Sequence, residues 1–316
     1  MLKISHFIFL LATPSIYVSA NRESIYTLTE EVTNLLLDYT YGTDNSTTVD
    51  EDGNPITRKG PGRVQKNYLE RLNGYGCWCD FDDYKSGRGR VLDEYDTACK
   101  KLHHNFLCIE EEFENRNLDA EGDENVEESE SNSGSELQCD PKTQTYKYKN
   151  IPTLLSVAIA YKMENRYKEA QFALYRALNH CKQINGYHGS DNEENIILEN
   201  KCAAEICMAE VNFIYEINPG YMQVEDQSSI AVSSSLMHKN NDQFIENNNE
   251  MCGPFKKNPS PHKAEITCCG VTPFRLRYDS KRPVKCCEYA SKLYNPVQEC
   301  CAGNQIFPIS QCQAFF

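Results

Sequence analysis

Apolar residues recur at helical spacing in several stretches of the chain. Val32, Leu35 and Leu36 follow Thr27 and Glu30, which are spaced like a capping box, and predict an N-terminal helix. Asp93 is placed to cap a second helix, in which Tyr95, Cys99, Leu102 and Phe106 share one face. On that wheel His103 falls about 70° to one side, at the edge of the core, and His104 falls nearly opposite, towards solvent. Leu154, Val157, Ala158 and Tyr161, then Tyr167, Ala170, Leu174, Ala177 and Leu178, predict a helical hairpin turning near Asn165. In it Tyr161, Tyr167 and Tyr175 read as half-buried packing residues.

Two stretches break this pattern. Between Glu110 and Glu136 lie twelve acidic residues and one Arg, net −11, interleaved with serines and almost nothing apolar. Such a composition cannot bury enough surface to offset its ordering entropy, so 110–136 is expected as a disordered acidic insertion. Residues 218–251 become first Ser-rich and then Asn-rich, and read as a linker.

The N-terminus sets the expected compartment. Met1-Leu2-Lys3, the apolar run from Phe7 to Leu11 and the small-residue pattern Val18-Ser19-Ala20 read as a secretory signal peptide, 1–20. Residues 21–66 then form an N-terminal extension, whose basic pair Arg58-Lys59 is where a propeptide would be processed. No later segment is long and apolar enough to span a bilayer, so the expectation is a secreted chain without a transmembrane segment. The sequon Asn45-Ser46-Thr47 suits that setting as a glycosylation acceptor.

Composition sharpens this picture. Of 316 residues 16 are cysteine, and the net charge of −14 makes nucleic acid a poor partner. In an oxidising compartment all sixteen are expected in disulfides. They fall in even blocks: Cys77, Cys79, Cys99 and Cys108; Cys139, Cys181, Cys202 and Cys207; then Cys252, Cys268, Cys269, Cys286, Cys287, Cys300, Cys301 and Cys312. Even counts permit pairing within blocks without proving it, and eight cysteines alone allow about 105 connectivities. Residues 252–316 contain three vicinal pairs, each expected to tie two other strands. Zinc fails there for want of a Cys-x-x-Cys pair. This last segment is net +5 and could contact the acidic insertion or an anionic surface.

The stretch Tyr75-Gly76-Cys77-Trp78-Cys79, followed by Asp93-Glu94-Tyr95-Asp96-Thr97-Ala98-Cys99, resembles the secreted phospholipase A2 family. There a loop Tyr-Gly-Cys-x-Cys-Gly-x-Gly-Gly precedes a helix Asp-x-x-Asp-x-Cys-Cys-x-x-His-Asp-x-Cys. The run Cys202-Ala203-Ala204-Glu205-Ile206-Cys207 is similar to that family's later helix. The resemblance implies calcium held by loop carbonyls, with Tyr75 and Cys77 as candidates, and His103 as the general base. The departures fall on the chemistry. Counted from Cys99, the His position is Leu102 and the Asp position is His103; with one extra residue they are His103 and His104. Asp80 replaces a loop glycine, and the orienting Asp falls on Lys201. A calcium site rebuilt from Asp80, Asp82 and Asp83 would restore the oxygen ligands that the ion needs. The vicinal cysteines are similar to galaxin repeats and to tails of secreted ciliate and other protist proteins.

The sequence thus predicts a mainly α, disulfide-rich phospholipase A2-like domain over 67–217, and a small irregular or β disulfide-rich domain over 252–316. The expected role is extracellular and non-catalytic, towards a protein, matrix or lipid partner. The alternative is a calcium-dependent phospholipase A2 cleaving the sn-2 ester.

Overall fold

The computed structural model describes residues 22–41, 48–49, 55–56, 69, 72–87, 89–120, 139–186, 194–223, 252 and 265–312. The expected signal peptide, the sequon at Asn45, the Arg58-Lys59 pair and residues 224–251 of the expected linker lie outside them.

Helix α1 (Arg22–Tyr41) buries Ile25, Leu28, Val32 and Leu36 on one stripe. The stripe begins before Thr27, so Thr27 lies inside the helix rather than capping it. Two short strands follow, β1 (Thr48–Val49) paired antiparallel with β2 (Pro55–Ile56).

Helix α2 (Glu94–Ala120) starts where Asp93 caps it, the Asp96 N–H donating to Asp93 Oδ1 at 2.9 Å. It does not stop at Glu110. Ile109 and Phe113 continue the buried stripe of Leu102 and Phe106, so the first part of the acidic run is helix rather than disordered insertion. Residues 121–138 lie outside the described residues.

Helices α3 (Ile151–Met163) and α4 (Tyr167–Ile184) form the hairpin expected from their periodicity, and Asn165 makes the turn at φ 58°. Helix α5 (Glu194–Gln223) packs on α2, α3 and α4, while α1 packs on α3. It extends past residue 218, where the linker was expected to begin. Cys202, Ile206, Ala209, Phe213 and Ile217 of α5 are buried at helical spacing, so this helix runs through the middle of the core.

The C-terminal part is three antiparallel hairpins: β3 (Ile266–Cys269) with β4 (Leu276–Asp279), β5 (Lys285–Cys287) with β6 (Lys292–Tyr294), and β7 (Glu299–Ala302) with β8 (Gln305–Pro308). A single turn, α6 (Ile309–Cys312), ends it. A lone two-stranded hairpin is marginal in water. Apart from Pro273, the buried side chains of 265–312 are Cys269, Cys287 and Cys312, so covalent bonds stand in for a core.

All sixteen cysteines pair, in eight disulfides. Cys139–Cys202 and Cys181–Cys207 stay within the second block, and Cys79–Cys99 within the first. Cys77–Cys252 and Cys108–Cys268 instead cross between blocks. Each vicinal pair divides its bonds: Cys268 goes back to α2 and Cys269 forward to Cys286, Cys287 goes to Cys301, and Cys300 to Cys312. The hairpins are therefore stitched in series and moored to α2 at one end. Among the described residues no helix is long and apolar enough to cross a membrane.

Candidate functional site

The cysteine loop closes on itself before it meets α2. Gly74 N–H donates to the Cys79 carbonyl at 2.5 Å, and Cys79 N–H to the Tyr75 carbonyl at 3.2 Å. Gly76, at φ 64°, leaves room for the Asp96 carboxyl group, which a Cβ there would meet at 2.5 Å. Asp96 is 0% exposed and accepts from Cys77 N–H at 3.0 Å, Trp78 N–H at 2.8 Å and Leu92 N–H at 3.0 Å. Burial pushes its carboxyl pKa up, opposed by these three peptide donors. Tyr75 donates its hydroxyl to Asp93, and burial, then that carboxylate, raise the phenol pKa. The loop is thus pinned to the first turns of the helix that carries His103.

His103 lies beneath this loop, 1% exposed. Trp78 covers it edge-on at 6.2 Å between ring centroids, and a Cβ at Gly87 would stand 2.9 Å from its Nδ1. Among the described residues neither ring nitrogen has a hydrogen-bond partner. The Asp80 backbone approaches closely enough to favour the protonated ring, though without hydrogen-bond geometry. Burial dominates and pushes the imidazole pKa down to about 4. Among the described residues no carboxylate orients this ring.

His104 does not face solvent as its wheel position suggested. Its Nδ1 accepts the Arg277 N–H at 3.2 Å and its ring packs on Trp78 at 5.4 Å, because the hairpin module covers that side of α2. Burial, with Lys100 and Arg277 nearby, pushes it down to about 4 as well.

Asp80, Asp82 and Asp83 do not converge. Asp80 Oδ1 accepts from the N–H groups of Asp82 at 3.1 Å and Asp83 at 3.0 Å, and its Oδ2 from Ser86 Oγ at 2.9 Å. Asp82 accepts from Asn73 Nδ2 at 3.2 Å, and Asp83 from Lys85 N–H at 3.1 Å. Each carboxylate is used to fold its own loop, and the Tyr75 carbonyl is used by Cys79. Among the described residues no group of three or more His, Cys, Asp or Glu is arranged to hold a metal ion. These donors do not fit calcium, which takes about six to eight converging oxygens.

Lys201, at the position the resemblance gives to an orienting carboxylate, points elsewhere. It pairs with Glu112, and at 3.8 Å with Glu205. Arg275 completes the cluster, its Nη2 lying 2.5 Å from Glu112 and 3.4 Å from Glu205. Burial alone would raise the Glu112 pKa, but Arg275 and Lys201 outweigh it and hold it at about 2. Burial wins at Glu205 and raises it. Next to this cluster Asn105, 2% exposed, donates to the Pro273 carbonyl at 2.7 Å and accepts the Arg275 N–H at 3.2 Å. Arg277 approaches Glu111 at 3.8 Å. The basic hairpin module thus contacts the start of the acidic run, through residues that no motif singled out.

The site is a clamp between a helix and a hairpin module, beside a sealed histidine. Compared with known proteins, the sequence matches no family model, no curated protein and no solved structure.

Proposed function

We propose that this chain is a secreted, phospholipase A2-like scaffold that works by binding, without turning over a substrate. One observation carries the reading: His103 is 1% exposed, closed off by Trp78 and the Gly87 backbone, with both ring nitrogens unbonded among the described residues. A general base has to reach the proton that it takes, directly or through one water. Here the loop would have to leave α2 first, and Asp96 holds it there through two loop peptides. The carboxylates that would supply a cation are committed to loop turns, which supports the same reading. Secretion is supported by the leader-like N-terminus and by the pairing of every cysteine.

The test is fatty-acid release from mixed phospholipid micelles, with calcium and with chelator, for wild type and His103→Ala. Release no greater than buffer is the expected result. Calcium-dependent release that disappears in His103→Ala would instead establish the hydrolase.

A further inference from the structure

Helix α4 buries Ala170, Ala173, Leu174, Ala177, Leu178 and Cys181. Opposite them, on one narrow stripe, lie Lys168, Phe172, Tyr175, Asn179 and Lys182. Alternating steps of four and three residues keep these five within an arc of about 80° and lay them along about 21 Å of helix. Phe172 and Tyr175 are 66% and 61% exposed, Lys168 is exposed and Lys182 half-buried. Arg176 flanks the stripe and is exposed as well. None of the three cations forms a salt bridge among the described residues. The stripe holds no carboxylate, since Glu169, the one acidic residue of α4, stands off it and is turned to Arg166 at 3.2 Å.

Charge and shape together select the partner. A purely cationic strip on a chain of net charge −14 is complementary to an anion. Its composition does not suit the core of a protein interface, where lysine is depleted. A planar anionic bilayer would bring the carboxylates of Glu164 and Glu169, at the edge of α4, up to the same charged plane. A linear polyanion needs only the strip itself. Sulfate groups would take charge-assisted hydrogen bonds from Lys168, Arg176 and Lys182. The C–H faces of sugar rings would lie on the Phe172 and Tyr175 rings between them, and Asn179 would meet a hydroxyl. We propose that this stripe of α4 binds a linear sulfated polysaccharide laid along the helix. Such binding uses no residue of the His103 loop and relies on the reading above only for an extracellular setting, so failure of one does not decide the other.

Calorimetric titration of the full, oxidised chain with a heparin octasaccharide tests this. A micromolar dissociation constant at low salt is expected, weakening as salt rises with a log–log slope of about two to three, since each engaged cation releases about one counterion. Lys168→Gln combined with Lys182→Gln should weaken binding at least about tenfold and take about two from that slope. Tyr175→Ala should weaken it at least about threefold with the slope unchanged, because it removes a ring and no charge. Melting midpoints should hold in all three variants, whose altered side chains point away from the core. No binding at low salt, or binding indifferent to the paired Lys168→Gln and Lys182→Gln substitutions, overturns the proposal; the second result would give the polymer to the basic hairpin module. Equal affinity for unsulfated hyaluronan overturns it too. So does tighter binding to phosphatidylserine vesicles that depends on Lys168 and Lys182, which would give the stripe to lipid.

Discussion

Asp96 accepts the Trp78 N–H at 2.8 Å and the Cys77 N–H at 3.0 Å, so one buried carboxylate ties the cysteine loop to the helix beneath it. Its other oxygen takes the Leu92 N–H at 3.0 Å, which also fixes the approach to that helix. Asp96→Ala strands three peptide donors and should cost about 3–5 kcal/mol in urea unfolding. Asp96→Asn keeps an acceptor on one side only and should fall between the two. A loss below about 1 kcal/mol for Asp96→Ala would mean that the loop is held by its disulfides alone.

The two histidines make the fold sensitive to mild acid. Both are held near pKa 4 by burial, against 6.5 in an unfolded chain. As pH falls through 6.5 the unfolded chain takes up protons that the folded one refuses. Stability fully present above that value is therefore lost between 6.5 and about 4, at up to about 1.4 kcal/mol per pH unit for each ring. Denaturation midpoints at stepped pH should show the slope, and His103→Phe should halve it. Imidazole resonances titrating near 6.5 would show instead that the rings are open to water.

A second acid limb belongs to Glu112. Arg275 and Lys201 hold its carboxylate at about 2, below the ordinary 4.5, so its contribution is present above 4.5 and is lost as pH drops towards 2. Glu112→Gln should flatten this limb while leaving the histidine slope intact. It should also lower stability at neutral pH, because Arg275 and Lys201 would be left sharing Glu205 alone.

Gly87 is a packing test of the sealed histidine. A methyl group there would overlap the Trp78 ring and stand 2.9 Å from His103 Nδ1. Gly87→Ala should cost about 1–3 kcal/mol and should increase Trp78 fluorescence quenching by solvent. An unchanged midpoint and spectrum would show that the loop shifts freely off the ring.

Much of this architecture was legible in the residues. The α3–α4 hairpin followed from period and a single Asn turn, and Asp93 announced the start of α2. That vicinal cysteines divide their bonds followed from the strain of closing a ring between neighbours. What was not legible had a common physical cause, contact between distant segments. Nothing local distinguishes Cys77, whose partner is Cys252, from Cys79, whose partner is Cys99. Phe113 carries α2 into the acidic run only because a core is there to receive it. His104 meets Arg277, and Asn105 meets Pro273, across more than 160 residues of chain. Tyr167 and Tyr175 were expected half-buried, and are instead 58% and 61% exposed.

The crossing disulfides impose an order on maturation. Cys77 and Cys108 belong to the first block to leave the ribosome, but their partners lie 175 and 160 residues downstream, and four other cysteines emerge between Cys108 and Cys252. Those four close on one another, so the central helices can finish while the cysteine loop and α2 each still carry one waiting thiol. The C-terminal segment from Cys252 onward is therefore the chain's own quencher, arriving last to consume them. A chain ended before Cys252 should keep its central helices and yet be recovered as disulfide-linked multimers that thiol reductant disperses.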